Sequence, residues 1–223
     1  RDKLVTGVQT CALPISGLEA DENASRVQHA LLEFLESDWR LPDEGIWEIR
    51  GPRRNFTHSK VMAWVAMDRG LQAAELMRHD GEIQRWRQVR NEIHEQVCRE
   101  GFNVELNSFV QHYGAKDLDA SLLMIPLVGF LPATDLRMRG TVQAIEKHLM
   151  NDGLVARYRT RQELDGLPPG EAPFLLCTFW LADNYALQGR WEDARRVFER
   201  LPALRNDVGL LAEQYDPSAN RFQ

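Results

Sequence analysis

The chain has 223 residues, of which 43% are hydrophobic, and it carries a formal net charge of -6 with an isoelectric point near 5.6. This hydrophobic content is enough for a packed core and excludes disorder as the main state. The negative charge argues against a protein that binds nucleic acid, because such binding rests largely on clustered cations that neutralise phosphates.

The three cysteines, Cys11, Cys98 and Cys177, are odd in number and widely spaced, and no two have the spacing of a metal or redox pair. A disulfide framework is therefore not expected, and a reducing, cytoplasmic compartment fits best. The longest apolar stretch, 122–131, contains a proline and a glycine and is much shorter than the roughly 20 residues needed to cross a bilayer. We therefore expect no membrane partner.

Residues 1–16 do not share the helical periodicity of the sequence that follows, and they look like a translated adapter sequence. We expect a non-native leader over 1–16 and one domain over 17–223. From Asp21 onward, apolar residues spaced by three or four dominate. They predict a helix around 27–35 ending before Pro42, a loop over 38–57, a helix from Thr57 or Ser59 to Gly70, and a helix over 82–99.

After Gly101, a polar and aromatic stretch to Tyr113 predicts a long loop. Four more helices are predicted over 118–128, 135–150, 173–188 and 191–200. The stretch 174–187 is apolar nearly all round, which is typical of a buried helix, whereas 191–200 alternates charged and apolar residues and should lie outside it. About seven helices with little strand predict an all-α fold in two layers.

Four separate segments carry a further signal. They are Trp-Glu at 47–48, Ala-Arg-Tyr at 156–158, Gly-Glu-Ala-Pro-Phe-Leu-Leu-Cys-Thr-Phe-Trp-Leu at 170–181, and Ala-Glu-Gln-Tyr-Asp at 212–216. In order and spacing they resemble glycoside hydrolase family 15, which contains glucoamylases, glucodextranases and bacterial trehalases. The resemblance covers roughly residues 20–223 and implies a glucoamylase-type (α/α)6 toroid of six helical hairpins, with loops at one end around a pocket.

Nothing in the chain matches the N-terminal part of the family's helical ring. We therefore expect a partial toroid whose inner helices are poorly covered, with low solubility or oligomerisation as a consequence.

The resemblance assigns two carboxylates to catalysis. Glu48 would be the general acid, and the indole of Trp47 beside it would partly desolvate the carboxyl and favour its protonated form. Glu213 would be the general base that activates water. Judged without the family motifs, Glu48 is an ordinary solvated loop residue and Glu213 a turn carboxylate bonded to local N–H groups.

Four other residues are candidates for substrate binding. Arg157 matches a family position that hydrogen-bonds sugar hydroxyls, although a surface arginine in a polar linker is the ordinary interpretation. Trp47 and Tyr215 could stack on sugar faces, and Arg50 lies in a short basic group beside Glu48. His58 and Lys60 could line the pocket. The other histidines show no paired spacing for a metal.

The function that the resemblance implies is inverting hydrolysis of α-glucosidic bonds, in trehalose or at the nonreducing ends of α-glucans, with no metal or organic cofactor. Three alternatives stay open. They are a phosphorolytic enzyme, which would not need Glu213, a catalytically incomplete fragment, and a helical-repeat interaction protein suggested by residues 180–200. The sequence leaves the choice of α-glucoside and the oligomeric state undetermined.

Overall fold

The computed structural model describes residues 22–77, 83–160, 172–219 and 221–222. The leader predicted over 1–16 lies outside these residues. The described helices are α1 (Glu22–Asp38), α2 (Thr57–Met77), α3 (Ile83–Glu100), a 3-10 helix (Ala120–Leu123), α4 (Met124–Leu127), α5 (Leu136–His148), α6 (Leu175–Leu187) and α7 (Trp191–Ala203). The strands are β1 (Phe102–Asn103), β2 (Ser108–Phe109), β3 (Met150–Asn151), β4 (Leu154–Val155), β5 (Tyr215–Asp216) and β6 (Arg221–Phe222), paired in order as three antiparallel hairpins.

The helices form two layers, as predicted. The inner layer consists of α2, the 3-10 helix with α4, and α6, which contact one another. The outer layer covers it: α1 and α3 pack on α2, α5 packs on the 3-10 helix, and α7 packs on α6. In α3 the buried residues are Trp86, Val89, Ile93 and Val97, which lie on one face because they are spaced by three or four. No helix in the described part of the chain is long and apolar enough to span a membrane.

The core is one continuous apolar cluster between the layers. Its most enclosed members include Met67, Ile93, Leu122, Leu181 and Ile145, each with no more than 1% of its surface exposed. A smaller cluster of Leu154, Leu175, Leu201 and Tyr215 lies at one end of α6. Burial of such side chains supplies most of the stabilisation in a helical fold.

Inner-layer helices also expose apolar side chains, as the partial toroid predicts. Met62 on α2 and Leu176 and Leu187 on α6 are 38%, 49% and 38% exposed. The expected low solubility or oligomerisation stays a prediction.

Three predicted boundaries were wrong. Gly70 does not end α2, which continues to Met77, because the missing side chain makes room for α1. A Cβ at Gly70 would lie 2.4 Å from Leu32 Cδ1. The loop predicted over 101–113 contains the β1–β2 hairpin, and the helix predicted over 118–128 is split into a 3-10 helix and α4.

The inner helices begin in the same way. The first residue of each inner helix donates its N–H to a carbonyl in a later loop. For α2 and the 3-10 helix, this loop directly precedes the next inner helix. For α6, it is the loop that follows α7. The three bonds are Thr57 N to Gln111 O (2.9 Å), Ala120 N to Arg157 O (2.7 Å) and Leu175 N to Glu213 O (3.0 Å). The first N–H groups of a helix have no partner within it, so each bond satisfies one of them. The loops therefore gather at the N-terminal ends of the inner helices.

Candidate active site

The loop between α1 and α2, which carries Glu48, is fixed at both ends. The main chains of Asp43 and Arg54 exchange hydrogen bonds of 2.9 Å in both directions. The Asp43 carboxylate accepts from Gly45 N and Ser59 Oγ, each at 2.7 Å. The buried ammonium group of Lys60 donates to two carbonyls at the start of the loop, Trp39 O at 2.8 Å and Leu41 O at 2.5 Å. Lys60 therefore secures this loop, and together with His58 it contributes to the wall of an open pocket beside the loop.

Glu48 has a left-handed backbone, with φ of 49°, which is uncommon for a residue other than glycine. Its N–H donates to Gly45 O at 3.2 Å, within a tight turn. The residue is exposed. The shielding of its carboxyl by Trp47, expected from the sequence, is therefore not seen in the described part of the ring.

The Trp47 side chain packs toward the inner helices and is partly buried. Its Nε1–H donates to both oxygens of the buried Asp119 carboxylate, at 2.9 and 3.1 Å. Its ring centroid lies 5.5 Å from that of Phe174, edge to face, and 6.3 Å from that of Trp180. Trp180, which lies in the stretch 174–187 predicted to form a buried helix, is partly buried against the main core.

Arg157 joins this aromatic group, and its contact with sugar hydroxyls stays a prediction. Its guanidinium carbon lies 5.3 Å from the ring centroid of Trp47, 5.6 Å from that of Phe174 and 5.7 Å from that of Tyr158. These distances are within the range of a cation–π interaction. Arg157 is half-buried, and its carbonyl fixes the first residue of the 3-10 helix. The surface-linker interpretation of Arg157 does not describe these contacts.

Glu213 and Tyr215 lie against the start of α6 but face different surroundings. Glu213 is exposed, and its carbonyl accepts from Leu175 N. Gln214 forms an isolated β-bridge with Phe174. Tyr215 is 8% exposed and packs in the smaller apolar cluster, with its ring 5.7 Å from that of Phe222. A sugar contact by Tyr215 stays a prediction.

Phe174 connects the two segments that carry the candidate carboxylates. One side of it contacts Trp47, next to Glu48, and its main chain pairs with Gln214, next to Glu213. Segments separated by 165 positions in the sequence are thus brought to the same helix end. Arg50, two residues beyond Glu48, is also exposed on this loop.

Asp119, Gln111 and Phe174 belong to this site and were not singled out from the sequence. Phe174 lies inside the recognised segment 170–181, so the motif itself offered a signal for it. Asp119 precedes an apolar run, where an aspartate predicts only a helix cap, and its partner Trp47 is 72 positions away.

His58 lies at the start of α2, in the electrostatic field of Asp119 and Asp43. Burial lowers the pKa of His58, and the two carboxylates oppose this shift only in part. Burial also lowers the pKa of Lys60, again opposed by Asp43. Burial thus favours the neutral form of His58 more than in the unfolded chain.

A cavity of about 190 Å³ adjoins the same loops. Ile49, which follows Glu48, contributes to its wall together with Gln111, Tyr158 and Leu149. Gln111 also donates to Asp119 at 3.0 Å, and thereby links the cavity wall to the carboxylate that holds Trp47. Among the described residues, no group of three or more histidine, cysteine, aspartate or glutamate side chains is arranged to hold a metal ion.

Solved glycosidases share this architecture. A glycosidase variant in complex with glucose superposes with a TM-score of 0.70 and 21% identity, covering 82% of this chain and 47% of that chain. Glucoamylase from Saccharomycopsis fibuligera superposes with a TM-score of 0.67 and 12% identity, covering 86% of this chain and 55% of that chain. These similarities confirm the predicted partial α/α toroid.

Curated relatives are similar in sequence over most of the chain. Trehalase from Thermoplasma volcanium is 40% identical over 194 residues, which are 86% of this chain and 30% of the relative. Trehalase from Mycobacterium tuberculosis is 41% identical over 203 residues, which are 91% of this chain and 30% of the relative. The chain thus spans about a third of the length of these relatives. The family profile of the glycosyl hydrolases family 15 matches residues 7–223. The chain is therefore a member of glycosyl hydrolases family 15.

Proposed function

We propose that the complete protein hydrolyses the α-glucosidic bond of trehalose with inversion at the anomeric carbon. The observation that carries the proposal is the contact of Phe174 with both segments that bear a candidate carboxylate, Trp47-Glu48 and Glu213-Gln214. The two relatives named above, each at least 40% identical, are called trehalases, which favours trehalose over the ends of α-glucans.

Glu48 acts as the general acid in this proposal. Its protonated carboxyl donates to the glycosidic oxygen as the bond from that oxygen to the anomeric carbon breaks. The left-handed turn at Glu48 and the anchored indole of Trp47 support this role, because they hold the residue at the edge of the aromatic group.

Glu213 acts as the general base. Its carboxylate takes a proton from a water molecule while the water oxygen bonds to the anomeric carbon on the face opposite the leaving group. Inverting glycosidases hold their two carboxyl groups roughly 6.5 to 9.5 Å apart to leave room for this water. The anchored carbonyl of Glu213 supports the role, since it fixes the main chain of the residue at the start of α6.

The remaining predicted residues bind the sugar. Arg157 offers a planar set of N–H donors to hydroxyl groups, and its stacking against Trp47 limits the orientations that it can adopt. Trp47 contributes part of an aromatic ring, and Arg50 adds an exposed guanidinium on the same loop. Tyr215, which is largely buried beside the Glu213 segment, would reach the sugar only through the edge of its side chain that stays exposed. The step needs no metal or organic cofactor, because both proton transfers are made by carboxyl groups.

The anomers that the complete protein releases from trehalose test the proposal. Proton NMR within the first minutes should show α-glucose and β-glucose in equal amounts. Inversion converts one glucose unit to the β anomer, while the leaving unit keeps its α configuration. Release of α-glucose alone would show retention and contradict the assignment of Glu213 as a base. Faster cleavage of maltose, isomaltose or starch than of trehalose would contradict the substrate assignment.

A further inference from the structure

Asp119 is a carboxylate with 2% of its surface exposed, and it joins three separate segments of the site. Its Oδ1 accepts from Ser121 N at 2.8 Å and from Trp47 Nε1 at 2.9 Å. Its Oδ2 accepts from Trp47 Nε1 at 3.1 Å and from Gln111 Nε2 at 3.0 Å. A buried charge is costly unless hydrogen bonds compensate for the lost water, and these donors provide that compensation.

The indole of Trp47 is restrained on several sides as a result. Asp119 holds its N–H, Phe174 and Trp180 contact the ring, and the guanidinium of Arg157 lies 5.3 Å from the ring centroid. Glu48 directly follows Trp47 and is itself exposed. The orientation of the Glu48 main chain therefore depends on how firmly the preceding indole is held.

We propose that Asp119 is a positioning residue, whose carboxylate fixes the Trp47 indole and thereby places Glu48 for proton donation. This role rests on the proposed function. A carboxylate suits it better than an amide because both of its oxygens accept. Asparagine could still accept from Ser121 N, but its NH2 group would face the N–H of Trp47 or the amide of Gln111.

The first measurement is made on the present chain and needs no activity. The indole N–H resonances of its six tryptophans are recorded by NMR with 15N-labelled tryptophan, and Trp47→Phe identifies the Trp47 signal. In Asp119→Asn, the Trp47 signal should shift upfield and its hydrogen exchange should accelerate, because a charge-assisted bond is lost. The five other indole signals should stay in place. An unmoved Trp47 signal in folded Asp119→Asn would overturn the proposal.

The second measurement is the hydrolysis of trehalose by the complete protein. Asp119→Asn should lower kcat by on the order of 10²-fold with little change in KM, as expected for a small misplacement of a reacting group. Trp47→Phe removes the donor from the other side and should cause a similar loss. The double variant should lose no more than the more affected single variant, because both changes break the same contact.

Asp135→Asn is the matched control, since Asp135 also caps a helix, accepting from Arg137 N at 2.9 Å, and lies outside the site. It should leave kcat unchanged. Full activity of Asp119→Asn, or a loss that adds independently to that of Trp47→Phe, would overturn the proposal. If the wild-type protein does not cleave trehalose, the proposed function fails, and the indole spectra still decide whether Asp119 fixes Trp47.

Discussion

The carbonyl of Glu213 accepts a hydrogen bond of 3.0 Å from the N–H of Leu175, the first residue of α6. Two residues later, the N–H of Tyr215 donates to Pro173 O at 3.2 Å. The residues before and after Gln214 are therefore both bonded to the main chain at the start of α6. The main chain of Glu213 is thus held while its side chain stays exposed. This arrangement leaves the carboxylate available for chemistry.

Glu48→Gln should lower kcat of the complete protein on trehalose by about 10²- to 10⁴-fold, the range of a lost general acid. Glutamine fills the same space but cannot donate a proton to the leaving oxygen. Hydrolysis of α-glucosyl fluoride should fall much less, because fluoride departs without protonation. Steady-state rates on both substrates check this, with Glu44→Gln, four residues earlier in the same loop, as control. Equal losses on both substrates would contradict the acid assignment.

Glu213→Ala should lower hydrolysis of trehalose and of α-glucosyl fluoride alike, by about 10²- to 10⁴-fold, because water is no longer activated. Added azide should restore turnover of the fluoride by attacking in place of water, which forms β-glucosyl azide and releases fluoride. Mass spectrometry and NMR identify that product. The α anomer of the azide would instead place a nucleophile on the opposite face and reject a general-base role.

Arg157→Lys should raise KM for trehalose roughly tenfold and change kcat less. Lysine keeps the charge but loses the planar fork of donors, and hydrogen bonds from charged groups contribute about 1.5 to 3 kcal/mol. Initial rates over a range of trehalose concentrations check this. The exposed Arg159, two residues later, provides the matched control, and Arg159→Lys should leave KM within about twofold of the wild type, a change of under 0.5 kcal/mol. Equal effects of the two variants would return Arg157 to the surface-linker interpretation.

Gly140→Ala should destabilise the present chain, although alanine is more favourable than glycine inside a helix by about 1 kcal/mol. A Cβ at Gly140 would lie 2.0 Å from Asn107 O, a main-chain atom of the turn between β1 and β2, so the hairpin would have to move away from α5. Overpacking of this kind costs about 1 to 3 kcal/mol. Thermal unfolding followed by circular dichroism measures the change.

Gly70→Ala is the comparison for Gly140→Ala, since its Cβ would meet the terminal methyl group of Leu32 rather than main chain. It should lower Tm less than Gly140→Ala. A larger loss of Tm in Gly70→Ala would show that the β1–β2 hairpin moves away from a new methyl group more easily than the Leu32 side chain does.

The stability of the chain should fall as the pH is lowered below 6.5, in part because of His58. Burial lowers the pKa of His58 from its usual value of 6.5, so between that value and the folded pKa the unfolded chain binds a proton that the folded chain does not. The contribution is therefore complete above pH 6.5 and is lost as the pH falls toward the folded pKa. Between pH 7.5 and pH 5, the Tm of His58→Gln should decrease less than the Tm of the wild type. A slope equal to that of the wild type in His58→Gln would contradict this contribution.

The helical layers could be predicted from the sequence because their signal is local. The spacing of Trp86, Val89, Ile93 and Val97 by itself defines the buried face of α3. Gly70 misled the prediction, since an isolated glycine ordinarily marks a helix end, and only its contact with Leu32 explains why the helix continues. Two-residue strands carry no periodicity, and so β1 and β2 were not predictable.

The candidate site was predictable only where a motif named its members. Glu48, Arg157 and Glu213 were found because their neighbours resemble family segments, and the structure confirms that all three lie in loops. Asp119 and Gln111 could not be found in this way. Asp119 matters because it accepts from Trp47, and Gln111 matters because it donates to Asp119. Asp119 and Trp47 are 72 positions apart, so the local sequence around either residue does not indicate their contact.

The hydrogen bond that recurs at the start of each inner helix uses main-chain atoms only, so it supports the fold without fixing the side chain of the accepting residue. Gln111, Arg157 and Glu213 occupy corresponding places in successive hairpins, and each supports its helix through a carbonyl that every amino acid possesses. An amide, a guanidinium and a carboxylate can therefore stand at equivalent positions without altering the scaffold. A ring built on this rule can acquire a new substrate by exchanging side chains at these places, while the connections between its hairpins stay the same.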